Sequence, residues 1–214
     1  MYSIYLFDLD GTITDSEEGI TKSVEYALNK WNIEVADRSE LRKFIGPPLT
    51  YSFMAYYGFS AEDAKKAVDA YREYYSETGI FENRVYDGIE DVFKELIRTG
   101  RKIVLATSKP EIFANRILEH FGLSEYFDFT AGAVLDVNGR NKKDEIITYA
   151  LENISYKDKS EVIMIGDRRH DILGAKVNGI TSVGVLYGFG DRAELEEAGA
   201  DYIIERPEEI LNID

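Results

Sequence analysis

The chain has 214 residues, 44% hydrophobic and 30% charged, a composition that fits a folded domain with a substantial core and excludes a disordered or peptide-sized scaffold. Its formal net charge of −15 argues against a duplex or a long single strand as partner, because such proteins need a basic surface to displace counterions. With no cysteine and only His120 and His170 as imidazoles, catalysis must rest on carboxylates, hydroxyls or lysine.

Residues 4–7, Ile-Tyr-Leu-Phe, predict a strand that ends on Asp8-Leu9-Asp10-Gly11-Thr12. Residues two apart on an extended chain point the same way, so Asp8 and Asp10 can be aimed together into a crevice at the strand's carboxyl end. Two like charges there call for a cation or a shared proton. Taken alone, the pair is equally ordinary turn chemistry.

Ser16-Glu17-Glu18 opens a helical pattern, with Ile20, Val24, Ala27, Leu28 and Trp31 on one face and Ser16 as the expected N-cap. Further helices are predicted over residues 37–45, 50–57 and 60–78, separated by Gly46-Pro47-Pro48 and Gly58-Phe59-Ser60, with no strand in this stretch. Its dense Tyr and Phe residues predict the packed interior of a small helical bundle.

From Asp87-Gly88 onward helices alternate with short apolar strands. Helices are predicted over 89–99, 111–121, 144–152, 171–177 and 193–198, and strands over 102–106, 129–131, 161–165, 181–185 and 202–204. This alternation predicts an α/β fold with a parallel sheet, built from residues 1–15 and 85–214, and an all-helical insertion over residues 16–84. No apolar run approaches a membrane span, and no basic stretch leads into a long apolar segment at the N-terminus, so a cytoplasmic location is expected.

Three predicted strands end in polar residues: Asp8 and Asp10 after the first, Thr107-Ser108-Lys109 after the second, and Gly166-Asp167 with Asp171 after the third. Ligands of open α/β sheets bind at such carboxyl ends. With Lys142-Lys143 before the next helix, four carboxylates, a hydroxyl and an ammonium group can converge. Singly, each has a plainer reading: Thr107 or Ser108 as a helix N-cap, the lysines as solvated surface groups, Asp167 as a turn residue, His170 as a helix-start surface residue.

Together these segments resemble the haloacid dehalogenase-like superfamily of aspartate-nucleophile phosphohydrolases. Its opening Asp-x-Asp-Gly-Thr is similar to Asp8–Thr12, its strand-terminal hydroxyl to Thr107, its phosphate-binding lysine to Lys143, and its Gly-Asp-x-x-x-Asp to Gly166–Asp171. The resemblance implies a Rossmann-like core with an inserted helical cap. Phe44–Leu49 and Ala106–Pro110 look similar to phosphoglycolate phosphatase-like and bacterial 5′-nucleotidase-like members.

The implied activity is a Mg²⁺-dependent phosphatase of small phosphorylated metabolites, nucleoside 5′-monophosphates or phosphoglycolate. The resemblance gives Asp8 as nucleophile, Asp10 as acid and base, Thr107, Ser108 and Lys143 at the phosphate, and Asp8, the Asp10 carbonyl, Asp167 and Asp171 at the metal, Asp171 directly or through water. It also suggests a hinge at Asp15-Ser16 and a substrate-meeting loop at Gly46-Pro47-Pro48, a segment that reads equally as a rigid connection between two helices. Phosphosugar mutases share these motifs. Dehalogenating members lack the second aspartate, and receiver domains, which also accept phosphate on an aspartate, lack the long insertion.

Overall fold

The computed structural model describes residues 2–136 and 139–213. The chain forms two compact units, Met1–Thr14 with Val85–Asp214 and Asp15–Arg84. In chain order, β1 (Ile4–Phe7) leads through β2 (Thr14–Asp15) into the inserted unit, with α1 (Glu17–Asn29), α2 (Leu49–Tyr57) and α3 (Ala61–Tyr75); β3 (Arg84–Val85) leads back. There follow α4 (Ile89–Arg98), β4 (Lys102–Pro110), α5 (Glu111–His120), β5 (Phe129–Ala133), α6 (Lys143–Asn153), β6 (Val162–Gly166), α7 (Arg169–Asn178), β7 (Thr181–Val185), α8 (Arg192–Ala198) and β8 (Tyr202–Ile204).

Six strands make one parallel sheet in the order β5-β4-β1-β6-β7-β8, the α/β architecture expected from the alternation of elements. β1 lies inside it, which is why Ile4, Tyr5, Leu6 and Phe7 are all buried instead of alternating with polar residues. Ile4 and Leu6 join Val104, Ala106, Val162 and Met164 in a core with Ile146 and Ile147 of α6 and Ala175 of α7. Phe7 turns to the opposite face and meets Phe93 of α4 edge-on, ring centroids 5.2 Å apart.

Register positions the chemistry. Phe7 is level with Leu105 of β4 and Ile165 of β6, so the polar residues that follow all three strands emerge at one edge of the sheet. β4 continues beyond residue 106, the predicted end: Thr107 still pairs with Gly132 of β5, and the register shifts only between Thr107 and Pro110. β2 and β3, two residues each, pair with one another; they are too short to leave a periodic signal.

In the inserted unit, Phe53 packs against Phe44 and Phe59 at centroid distances of 5.1 and 5.7 Å, and Trp31 lies 5.2 Å from Phe59. The expectation of an aromatic interior holds for Phe53, Tyr71 and Tyr75, which are buried as Phe44 is, but not for Tyr51 and Tyr56 of α2, which are exposed together with Met54. The segment predicted as a helix over 37–45 is instead a 3₁₀ helix, Arg38–Phe44, whose buried residues Leu41 and Phe44 stand one 3₁₀ turn apart. Ser16 occupies the N-cap position of α1 without capping it; the Asp15 carboxylate accepts from Glu17 N at 3.2 Å instead.

Candidate active site

The loop after β1 is wound tightly by its own backbone. Ile13 N and Thr14 N both donate to Leu9 O at 2.9 Å, and Gly11 N donates to Thr14 O at 2.8 Å. Gly11 takes φ +82, a conformation that disfavours a side chain, and a Cβ there would strike the Asp167 carboxylate. Asp8 N donates to Ile165 O at 2.9 Å, locking the start of this loop to the end of β6.

Three carboxylates meet at that junction. Oxygens of Asp8, Asp167 and Asp171 lie within 4.8 Å of one another, and all three residues are buried. Lys143, at the start of α6, enters the cluster with Nζ 2.8 Å from Asp8 Oδ1, 2.7 Å from Asp171 Oδ1 and 3.0 Å from Ala106 O. Its neighbour Lys142 is exposed. Of the two lysines, only Lys143 reaches the carboxylates, because the helix start turns successive side chains apart.

Asp167 is held from the far side by the turn after β7. Phe189 N donates to Asp167 Oδ2 at 2.8 Å, and a Cβ at Gly188 or Gly190 would collide with Asp167, so the Gly188-Phe189-Gly190 backbone can approach only because two glycines flank the donor. Asp167 Oδ1 is buried without a hydrogen-bond partner among the described residues. Asp171 Oδ2 accepts from Arg168 N at 3.1 Å.

The electrostatics follow from burial and crowding. Burial, followed by the charges of Asp171 and Asp8, pushes the Asp167 carboxyl well above the usual carboxylate range. Burial also raises Asp171, against the pull of Lys143. Burial alone would lower the Lys143 ammonium, but Asp171 and Asp8 outweigh it and hold the group above its ordinary value. The cluster therefore favours a proton or a cation on its carboxylates.

Asp10, two residues beyond Asp8, is held in its own ion pair. Lys109 Nζ is 2.6 Å from Asp10 Oδ2 and 2.9 Å from Oδ1. Thr107 is buried, and its Oγ1 accepts from Lys109 N at 3.2 Å; the N-cap position of α5 belongs to Pro110, so the helix-capping reading of Thr107 does not hold. Ser108 is half-buried between Thr107 and Lys109. Gly46 belongs to the inserted unit, where it is exposed with φ +101 between the 3₁₀ helix and α2. His170 is an exposed residue at the start of α7.

Two participants were not singled out by sequence: Lys109 as the partner of Asp10, and the Phe189 amide. The first had a usable signal, a lysine two residues beyond Thr107; the second had only a Gly-x-Gly spacing, which is too common to assign.

The carboxylates fit a divalent cation. Oxygen donors suit a hard metal, and the orphaned Asp167 oxygen would gain a partner. Among the described residues the three clustered carboxylates, Asp8, Asp167 and Asp171, are met by the Lys143 ammonium, which lies on Asp8 and Asp171, and by the charge of Arg168, which acts on Asp167 and Asp171. A cation bound to their oxygens would relieve the crowding of negative charge that remains.

A family model described as haloacid dehalogenase-like hydrolase matches residues 5–185. Over 194 residues the chain is 45% identical to a 5′-nucleotidase of Pseudomonas aeruginosa, covering 91% of this chain and 87% of that protein. It is 38% identical over 187 residues to the tyrosine-protein kinase PtkA of Mycobacterium tuberculosis, covering 87% of this chain and 63% of the longer relative. A crystal structure of a predicted phosphatase from Clostridium acetobutylicum superposes with a TM-score of 0.94 at 50% identity, covering all of both chains.

Proposed function

The chain belongs to the haloacid dehalogenase-like hydrolase family, and within it we propose a Mg²⁺-dependent phosphatase that cleaves small phosphate monoesters through an aspartyl-phosphate, with nucleoside 5′-monophosphates as the leading substrate class. The observation that carries the reading is the placement of Lys143 between Asp8 and Asp171, with an oxygen of each of Asp8, Asp167 and Asp171 inside 4.8 Å, Asp8 and Asp167 directly after the adjacent strands β1 and β6 and Asp171 in the first turn of α7. The 5′-nucleotidase relative supports the substrate class. Phosphoglycolate is the second compound to compare.

Phosphoryl transfer needs positioning and charge neutralisation more than covalent chemistry from the protein. In the proposed cycle an Asp8 oxygen attacks phosphorus, the bond to the leaving oxygen breaks, and Asp10 gives that oxygen a proton. Asp10, now a carboxylate, takes a proton from water as the water oxygen attacks the aspartyl-phosphate. Orthophosphate leaves and Asp8 is regenerated.

Lys143 orients Asp8 and offsets negative charge on the phosphoryl oxygens, while the Thr107 hydroxyl donates to one of them. Asp8, the Asp10 carbonyl, Asp167 and Asp171, the last directly or through water, would hold the metal. Bound there, Mg²⁺ would supply further charge neutralisation and a fixed orientation for the phosphate.

The test is orthophosphate release from p-nitrophenyl phosphate with Mg²⁺ or with chelator, in wild type and Asp8→Asn, followed by catalytic efficiencies on a panel of nucleoside 5′-monophosphates and 2-phosphoglycolate. Support requires Mg²⁺-dependent turnover lost in Asp8→Asn and a nucleotide preference. Undiminished activity in Asp8→Asn sinks the assignment. A mutase would transfer the phosphoryl group to a sugar hydroxyl, so stoichiometric orthophosphate argues against that alternative.

A further inference from the structure

Lys109 is buried as deeply as Lys143, with 5% of its side chain exposed against 4%. Its Nζ straddles both oxygens of Asp10, at 2.6 and 2.9 Å, and so ties the end of β4 to the loop after β1. The backbone beneath it is fixed as well, by the hydrogen bond from Lys109 N to Thr107 Oγ1. Ordering a whole lysine stem in the interior sacrifices rotamer freedom that a solvated lysine would keep. The two ammonium groups divide the carboxylates: Lys143 lies on Asp8 and Asp171, and Lys109 on Asp10. The Asp10 side chain keeps 14% exposure, so the clamp does not enclose it.

We propose that Lys109 is a positioning residue that fixes the Asp10 carboxyl group for proton exchange with the leaving oxygen, acting through Asp10 and not on the phosphoryl group. This rests on the acid–base role proposed above for Asp10. As the Asp8–phosphorus bond forms and the bond to the leaving group breaks, the Asp10 proton passes to the leaving oxygen; an Asp10 side chain free to rotate would miss that oxygen most of the time. The need for that proton depends on the leaving group. An alkoxide, as from a nucleoside 5′-monophosphate, requires it, whereas nitrophenolate departs readily without it.

The experiment compares wild type, Lys109→Met, Lys109→Arg, Asp10→Asn and the Lys109→Met/Asp10→Asn double variant on the best alkyl phosphate of the panel and on p-nitrophenyl phosphate, with orthophosphate inhibition and a thermal melt for each. The expected result for Lys109→Met is a kcat/KM, which reports the steps up to departure of the leaving group and not the hydrolysis both esters share, lower by about 100-fold on the alkyl ester, within the range of general acid catalysis, and by less than about 10-fold on the aryl ester. Orthophosphate inhibition stays unchanged, Lys109→Arg recovers part of the alkyl rate, and Lys109→Met adds little to Asp10→Asn.

Equal losses of kcat/KM on both esters, a raised KM with weakened orthophosphate inhibition, or a full additional loss in the double variant would overturn the proposal. If Lys109→Met melts early, the double variant, which removes both charges together, still reports whether the effect passes through Asp10. Asp10→Asn losing kcat/KM equally on both esters would instead remove the proton transfer to the leaving oxygen, and the positioning role with it.

Discussion

Lys143 Nζ lies 2.7 Å from Asp171 Oδ1, and the two side chains are 4% and 1% exposed. A pair this deeply buried is a poor source of stability in itself, because taking both charges out of water costs about as much as their attraction returns. Removing one member is a different matter. Lys143→Met would leave Asp8, Asp167 and Asp171 crowded together with no cation among them.

The expected outcome for Lys143→Met in chelator is a loss of about 3–5 kcal/mol in urea unfolding, the usual penalty for orphaning a buried charge. Added Mg²⁺ restores part of it. Turnover falls by at least about 100-fold even in Mg²⁺, since neutralisation of the phosphoryl oxygens is lost.

Asp8→Asn keeps nearly the same shape but removes the attacking oxygen's charge. We expect kcat to fall about 1000-fold or more, with no phosphoenzyme trapped by rapid acid quench, whereas wild type yields one under the same quench. A phosphoenzyme in Asp8→Asn would place the covalent step on another residue.

Gly11 and Gly122 separate backbone strain from steric conflict. Both have positive φ, +82 and +68, but a Cβ at Gly122 meets open space and one at Gly11 meets the Asp167 carboxylate and the Phe189 ring. Gly122→Ala should lower stability by about 1 kcal/mol with metal affinity intact. Gly11→Ala should cost about 1–3 kcal/mol and also raise the Mg²⁺ concentration for half-maximal activity. Thermal melts and Mg²⁺ titrations read both effects.

The pH dependence follows from the raised carboxyls of Asp167 and Asp171, Asp171 reaching about 6. Each keeps its proton in the metal-free native state at pH values where the unfolded chain has lost it. The stability this proton contributes is fully present below the unfolded carboxyl range and is lost as pH rises through the folded value. Mg²⁺ competes for the same oxygens, so the melting shift it produces should be small at about pH 5 and grow towards about pH 7.5, with protons released on binding. Calorimetry in two buffers of different ionisation enthalpy measures that release; a shift independent of pH would place the cation elsewhere.

Much of the core was legible because its signals are local. Residues 4–7 form a strand since four consecutive apolar residues suit the inside of a parallel sheet, and Thr181–Val185 and Tyr202–Ile204 have the expected bounds. The segment before Gly46 is helical as expected, but 3.0 and 3.6 residues per turn both place Leu41 and Phe44 on one face, and only the backbone bonds, such as Glu40 N to Asp37 O and Ile45 N to Arg42 O, make it 3₁₀. Ser16 illustrates a competition sequence cannot score: two adjacent oxygens can cap one helix, and the structure gives the bond to Asp15.

The sequence by itself determined the carboxylates, the hydroxyl, the lysines and their order along an alternating α/β chain, because strand ends, turn residues and apolar runs are short-range properties. Which lysine enters the cluster was open until α6 fixed the direction of Lys143 and left Lys142 in solvent. That Asp10 pairs with Lys109 depends on β1 and β4 lying side by side in register, a contact across 99 residues that no local pattern encodes. Local composition names the charges; only the packing of the sheet brings them within the few ångströms at which Coulomb energies and hydrogen bonds decide which pairs with which.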